Sequence, residues 1–572
     1  MSPIVGILSK ESEDVSDCIN SMMHACYSQG AEGAWVMAGR TKSELNDFNK
    51  AQSVVNNQAL GQVSFDTRKK ALGQPQLDCQ GELSLLFEGN LYNLEELRSN
   101  LPPDHRLSNG SAADVVVHML EESYRGYNLE AALVRVMKAL DGAYCLVVSD
   151  GRETILARDS AGLRPAFYAE NDEIMAFASR KTALWGIGLG NVKPLRAGRF
   201  ASFSRDGVII GEALPIKEIE WASTTDRKLE AIVERYGALL RTAVEKRLGD
   251  VEIVGCLLSG GVDSCLVTKL VADIAARRGI KVIAYTAGVE DSSDIDFAER
   301  FACELDLEHK VRRLSREDIN LYIPQVVRAV EERDMVQIEA GVGVYAALDM
   351  AQQDSIRVIF SGQGPDELWG GYTWYPRVIA TEGYEGLQSR MIHDLERADI
   401  ETLDRENKLA MAHGMEMVFP FIDTEIVKLA LSTPPQLKIY SAEDKLGKRP
   451  HRALASKVGI SEECAGRIKD ATQHGTGVHD TFGAMARKNG FTPDLAESIG
   501  YSSEQVTREK LASSSRYGQR YSDKKLWAIP RHVQLFLDVV AHRYNLLNKP
   551  ERGRIKAFLE KIKKIKEKVK VD

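Results

Sequence analysis

The 572-residue sequence has no apolar run near the roughly 18 residues needed to cross a bilayer; the longest, Val251–Leu258, has the length of a strand. A helical membrane span is thereby excluded. The opening MSPIVGILSKESED lacks a basic segment ahead of an apolar stretch, and no secretory cleavage signal follows, so a cytoplasmic protein is expected. Eight cysteines are scattered, and no two form a CxxC pair. Their spacing argues for reduced thiols, against a disulfide framework and against a cysteine-type zinc site. Charge of one sign is not in large excess: 74 Lys and Arg face 82 Asp and Glu, for a net −8. That balance argues against a chain built to coat nucleic acid or anionic lipid. Internal repeats and low-complexity tracts are also missing.

What remains is an ordinary globular composition, 44% hydrophobic and 27% charged. At about 150 residues per domain, the length predicts two to four domains. Up to residue 210 or so, short β-rich runs alternate with turn signals: IVGIL at 4–8, LSLLFEG at 83–89, AYCLVVSDG at 143–151, ETILARD at 153–159 and AFYAE at 166–170. Helical patterns at 111–126 and 129–139 lie between them, so a layered α+β domain is expected. Residues 215–226, PIKEIEWASTTD, read as a polar linker. Beyond it an amphipathic helix over 227–248 leads to VEIVGCLL, then SGGVDS, a second helix and KVIAYTAG. Strand, loop, helix and strand at this spacing make a βαβ unit, the mark of a parallel α/β sheet. Residues 546–572 form a basic stretch with Ile555, Phe558, Leu559, Ile562, Ile565 and Val569 at helical spacing among lysines. Such a helix suits RNA or a membrane surface, but docking of its apolar stripe on the body is the preferred reading.

The loop Ser259, Gly260, Gly261, Val262, Asp263, Ser264 sits between a buried strand and a helix. Its glycines let backbone approach a ligand, and amides of the loop and first helical turn favour an anion. Ser259 and Ser264 add hydroxyl donors. Asp263 repels phosphate unless a divalent cation lies between them, which implies Mg²⁺. The loop is neither GxxxxGK[ST] nor GxGxxG, and it resembles the pyrophosphatase loop of adenylating ligases. A second glycine-rich turn, QGPDELWGGY at 363–372, follows the strand-like run IRVIFSG. Both turns end parallel strands, so both can face one crevice, with Asp263 and Asp366 forming a two-carboxylate Mg²⁺ site.

SGGVDS, SGQGPDELWGGY, MAHGMEMVFPFID (411–423) and KRPHRA (448–453), in that order, resemble the asparagine synthetase family of glutamine-hydrolysing class II amidotransferases. RIKDATQHGTG (467–477) resembles its basic loop that closes on the activated intermediate. EGNLYNLEELRSNL (88–101), LDGAYCLVVSD (140–150), LARDSAGLRPAFYA (156–169) and FASRKTAL (177–184) resemble its glutaminase domain. The resemblance implies an N-terminal Ntn-hydrolase-like αββα sandwich over 1–214 and a parallel-sheet PP-loop ligase domain over 227–545. It implies ATP and Mg²⁺ as cofactors and adenylation of a small carboxylate, aspartate in the family, followed by attack of ammonia. Carried over by position, Ser259, Gly260, Gly261 and Ser264 hold pyrophosphate, with Ser361 and Gly362 beside them. Leu258, Thr286 and Gly288 wall the adenosine pocket, Lys448 meets phosphate charge, and Lys469 neutralises the tetrahedral intermediate.

The sequence departs from the family at the glutaminase site. Ser2 stands in place of the nucleophilic cysteine and is followed by Pro3; Glu88 replaces an oxyanion-binding asparagine, and Ala112 an acid that grips the glutamine amine. A carboxylate beside a developing oxyanion cancels its stabilisation, so an inactive glutaminase scaffold is expected, with ammonia or a separate glutaminase as nitrogen source. In the ligase half Gln363, carried over as a catalytic position with Lys448 and Lys469, stands where many members carry glutamate. It can hydrogen-bond but not take a proton, which leaves Asp404, Glu406 and Glu416 as candidate bases. Val418 replaces an arginine of the E-x-R-x-P-F-x-D run. Three readings follow: an ammonia-dependent asparagine synthetase, an amide ligase on another carboxylate (lactam closure included), and a silent regulatory paralogue. No nucleic-acid or membrane partner is expected, and a homodimer is left open.

Overall fold

The computed structural model describes residues 2–27, 33–38, 41–44, 56–64, 75–216, 228–468, 472–501 and 530–568. Contacts gather the chain into two units, Met1–Glu220 with Asp399–Glu416, and Trp221–Ala398 with Met417–Asp572.

In the first unit the run Ile4–Ser9 is buried at every position, as a strand covered on both faces must be. It pairs antiparallel with Ile174–Ala178 on one side and Gln58–Ser64 on the other, inside a seven-stranded sheet. A six-stranded antiparallel sheet is built around Ser84–Leu91, Gly142–Ser149 and Thr154–Arg158. The period of two along each strand sets the layers. Val5 and Ile7 pack on Ile19, Met22 and Met23 of helix Ser16–Cys26. Ile4 and Leu8 face the other way, onto Leu86, Val147, Leu156 and Phe203 of the second sheet. The outer face of that sheet, with Leu85, Phe87, Leu146 and Val148, carries helices Ala112–Tyr124 and Leu129–Met137 through Val116, Leu120 and Leu133. The order is helix, sheet, sheet, helix: an αββα sandwich. Each fully buried aliphatic side chain in these layers contributes about 1.5–3 kcal/mol.

The excursion Asp399–Glu416 is tied into this unit by buried charge. Asp399 takes the Arg196 guanidinium on both oxygens at 2.9–3.2 Å and the Ala197 N–H at 2.9 Å. Glu416 accepts from Arg164 at 2.7 Å and from Asn90 at 2.5 Å, and Arg164 and Glu416 are each about 1% exposed. Removing one partner of such a pair costs about 3–5 kcal/mol, because the other charge is left buried and unanswered.

The second unit opens with helix Leu229–Leu248 and strand Ile253–Leu257, which pairs parallel with Lys281–Gly288 on one side and Val358–Phe360 on the other. Glu308–Arg313 extends the sheet parallel beyond Lys281–Gly288. The chain moves outward from Ile253–Leu257 in one direction and then returns to its other flank, so the strand order reverses there. Ligands of open α/β sheets bind at the carboxyl ends of strands at such a reversal. At the other end of the chain, helix Lys549–Lys568 buries Ile555, Phe558 and Ile562, with Phe558 against the Tyr501 ring at 5.3 Å. The apolar stripe is therefore docked; Val569 lies outside the described residues. Among the described residues no helix is long and apolar enough to cross a membrane.

Candidate active site

Strand Ile253–Leu257 runs into Ser259–Gly261, and helix Val262–Arg278 starts at once. Gly260 has φ +69°, and a Cβ there would lie 2.3 Å from the Phe297 Cβ and 2.5 Å from its carbonyl carbon, so only glycine fits. The Ser264 hydroxyl closes the loop internally, accepting the Ser259 N–H at 3.1 Å and donating to the Gly261 carbonyl at 3.0 Å. Gly362, after strand Val358–Phe360, lies against the same turn: a Cβ there would meet the Ser264 nitrogen at 2.9 Å. The two glycine-rich turns expected to share a crevice do so. Ser361 is buried behind them, its N–H donating to the Val418 carbonyl at 3.0 Å. Val418 itself is 2% exposed.

Lys448 is the charge at the centre. It is 1% exposed, and its Nζ lies 2.6 Å from Asp263 Oδ2 and 2.7 Å from Asp366 Oδ1. Two hard carboxylates thus converge on one cation position, the donor chemistry that suits Mg²⁺. Lys448 adopts φ +52° just before helix Arg449–Lys457. Gly371 leaves the space it needs, since a Cβ there would overlap Lys448 Cε and Asp366 Oδ1 at 2.0 Å. His451 Nε2, fully buried, is 3.1 Å from Asp263 Oδ1, and its Nδ1 is 2.8 Å from the Tyr236 hydroxyl. Burial pulls the His451 pKa below the usual imidazole range. Next to Asp366, burial and the neighbouring Asp366 charge push Glu367 up to about 8, and the Tyr372 hydroxyl donates to it at 2.5 Å.

A cleft of about 480 Å³ opens over this centre, lined by Ser259, Gly261, Asp263, Lys448, Arg452 and Arg467. Arg467 donates to the Ser259 carbonyl at 2.7 Å and to Asp294 at 2.7 Å, with its guanidinium 4.3 Å from the Phe297 ring centre. The lining thus sets backbone and hydroxyl groups beside three cationic side chains and the carboxylates of Asp263 and Asp294. Spacing alone gave no reason to single out His451, Arg452, Arg467 or Asp294. Arg452 and His451 stand within KRPHRA, and Arg467 opens RIKDATQHGTG, so the motifs carried the only signal.

Leu258 and Thr286 meet at the ends of adjacent strands, the Thr286 hydroxyl donating to the Leu258 carbonyl and lying 2.7 Å from His309 Nε2. Gly288 faces Ser292 and the Thr476 carbonyl, with no room for a Cβ. Gln363 is half-buried directly after Gly362. Lys469 lies outside the described residues. Asp404, Glu406 and Glu416 fall in the first unit, where Lys408 lies 2.9 Å from Asp404, Arg405 3.7 Å from Glu406, and Arg164 on Glu416.

In the first unit Glu88 is 1% exposed and accepts from the Ser179 hydroxyl at 2.8 Å; among the described residues its Oε1 has no hydrogen-bond partner. Burial raises its pKa, with the Arg164 charge opposing. The Ser2 carbonyl accepts from Gln62 Nε2 at 3.2 Å. Ala112 begins its helix with a methyl group where an acid would project, and the next acid, Asp114, is occupied by the Asn109 and Gly110 N–H groups at 2.8 Å.

The asparagine synthase family model matches residues 235–383 and 376–538, and a glutamine amidotransferase domain model matches 63–186. A Methanocaldococcus jannaschii protein that carries the name of a glutamine-hydrolysing asparagine synthetase is 29% identical over 490 residues, 82% of this chain and 86% of that one. The Gallus gallus asparagine synthetase is 27% identical over 386 residues, covering 62% of this chain and 66% of its own length. Among solved structures, the glutamine PRPP amidotransferase of B. subtilis overlaps 50% of this chain and 67% of its own at 19% identity and TM-score 0.32, too low to bear weight. An αββα unit and a parallel sheet with a glycine-rich loop, in a chain matched by both family models, define an amidotransferase-type ligase. The chain belongs to the asparagine synthetase family, a family of ATP-dependent carbon–nitrogen ligases.

Proposed function

We propose that this chain adenylates a small carboxylate with ATP, releases pyrophosphate, and passes ammonia to the acyl-adenylate, with aspartate as the carboxylate and no glutamine hydrolysis of its own. The observation that carries the reading is the convergence of Asp263, Asp366 and Lys448 beside the loop Ser259–Ser264. A carboxylate oxygen attacks the α-phosphorus and pyrophosphate leaves; ammonia then attacks the acyl carbon and AMP leaves with that oxygen. The loop amides and the Ser259 hydroxyl hold the departing pyrophosphate, and Ser264 keeps the loop in shape. Lys448 and Arg467, both lining the cleft, bring positive charge to the phosphates. Asp263 and Asp366 would hold Mg²⁺, which supplies further neutralisation of phosphate charge. Lys469 is assigned to the charge on the tetrahedral intermediate, and Leu258, Thr286 and Gly288 to the adenosine pocket.

The inactive-glutaminase part rests on three residues that fail independently: a weakly ionised Ser2 hydroxyl, the Glu88 carboxyl in place of an oxyanion donor, and Ala112 without an acid. The test uses aspartate with heavy oxygen in its side-chain carboxyl, Mg-ATP and ammonium. Label appearing in AMP alongside unlabelled pyrophosphate is expected; asparagine formed with no label in AMP would rule out adenylation. Label in AMP only with another acid would replace aspartate.

A further inference from the structure

Outside the residues assigned so far, the first unit gathers four side chains from three separate stretches. Cys79 follows strand Gln76–Leu77, His105 lies in the loop after helix Leu94–Ser99, and His118 and Glu121 stand one turn apart on Ala112–Tyr124. One ligand atom from each lies within 4.8 Å of all the others. Cys79 Sγ is 3.6 Å from His105 Nδ1 and 3.7 Å from His118 Nδ1; Glu121 Oε2 is 3.3 Å and 3.1 Å from the same two nitrogens. A tetrahedron with metal–sulfur bonds of about 2.3 Å and metal–nitrogen or metal–oxygen bonds of about 2.0–2.1 Å has edges of roughly 3.3–3.6 Å. These four edges fall within a few tenths of an ångström of that figure, and the other two pairs lie within 4.8 Å.

The far ends of the rings point the same way. His105 Nε2 is 3.2 Å from Glu122 Oε1, and His118 Nε2 is 3.6 Å from Asp114 Oδ1. A neutral imidazole carries one N–H and one lone pair. Here each ring has a carboxylate at both ends, so a neutral ring sets a lone pair against a carboxylate unless a second proton or a metal takes that lone pair. A metal on Nδ1 removes the conflict: the lone pair binds the ion, and Nε2–H is directed at the outer carboxylate, the usual support of a metal-bound histidine. Glu121 is supported likewise, its Oε2 accepting the Cys79 N–H at 3.2 Å and its Oε1 facing Arg125 at 3.4 Å.

We propose that Cys79, His105, His118 and Glu121 bind a zinc ion, Cys79 as thiolate, both histidines through Nδ1 and Glu121 through Oε2. A thiolate with two imidazoles selects zinc over Mg²⁺ or Ca²⁺, which prefer oxygen. Four protein ligands leave no open position, so the ion clamps the strand end, the loop and the helix to one another. His118, Glu121 and His105 side chains are 5% exposed or less, whereas Cys79 is exposed and gives the ion a way in. The absence of any CxxC pair does not bear on this site, because its ligands come from distant stretches and include a single cysteine.

Metal content of the full chain, purified without chelator, and the absorption spectrum of the chelated chain refilled with cobalt test the proposal. One zinc per chain is expected, with a thiolate-to-cobalt charge-transfer band and the intense visible bands of tetrahedral cobalt. Cys79→Ser should lose the charge-transfer band, while Cys303→Ser, at another exposed cysteine, should keep it. Added zinc should raise the unfolding midpoint of the chelated parent, since only the folded chain presents the four ligands together. A parent chain that binds no zinc and gives neither cobalt band overturns the proposal, as does a charge-transfer band that survives in Cys79→Ser. The parent's cobalt spectrum decides the question even if a variant fails to fold.

Discussion

Two carboxylate settings separate the halves of this molecule. In the second unit Asp263 and Asp366 converge on Lys448 beneath a cleft lined with backbone, hydroxyl and arginine. In the first unit Glu88 is sealed among apolar strands with a serine hydroxyl on one oxygen. The first arrangement has its charges placed for an incoming polyanion and its cation. The second has a buried carboxyl whose charged form is disfavoured, with no cation-binding or phosphate-binding groups gathered on it among the described residues. The proposed division of labour, chemistry in the second unit and none in the first, rests on this difference in charge and not on family membership.

The largest effect is expected from breaking the first setting. Lys448→Met and Asp263→Asn should each lower ammonium-supported pyrophosphate release by on the order of 10²–10³-fold, the loss typical of one electrostatic group aimed at developing charge. Initial rates at saturating Mg-ATP measure this; rates within a few fold of the parent would remove both residues from the account. Next comes Gly260→Ala. Its positive φ and the Phe297 backbone leave no place for a methyl, so strain of about 1–3 kcal/mol should lower the unfolding midpoint and the rate together. The same change at Gly279, φ +67° with nothing near its Cβ, carries only the strain of the left-handed backbone and serves as the comparison.

A smaller effect of opposite sign is expected at Glu88. Burial raises its pKa above the ordinary 4.5, so the folded chain holds the proton where the unfolded chain has lost it. Stability from this group is full below that ordinary value and falls as pH rises through the folded one. Glu88→Gln removes that fall, so its stability relative to the parent should increase with pH, as denaturant titrations at several pH values would read. A parent and variant that track in parallel would contradict the assignment. Least of all, Ser2→Ala should leave ammonium-supported synthesis unchanged.

Much of the fold was legible because strand and helix periods are local. KVIAYTAG at 281–288 is a strand end to end, and the patterns at 111–126 and 129–139 contain the helices Ala112–Tyr124 and Leu129–Met137. The crevice was legible too, since two glycine-rich turns each followed a buried strand. The excursion Asp399–Glu416 was not: its place depends on Asp399 meeting Arg196 and Glu416 meeting Arg164 across some 200 residues or more, which no local period encodes. That pairing also changes the standing of Glu416, offered from sequence as a base and found held by a buried arginine. The Cys79 cluster escaped for the same reason, its ligands being 13 residues or more apart except for the single turn between His118 and Glu121.

The proposed combination of a working ligase centre and a silent glutaminase unit in one chain is tested most directly by pyrophosphate release from Mg-ATP and aspartate with ammonium, with glutamine, and with neither. Release that rises with ammonium and stays at background with glutamine, asparagine appearing in step, is the predicted result. Glutamine supporting synthesis as well as ammonium does, and losing that support in Ser2→Ala, would contradict it.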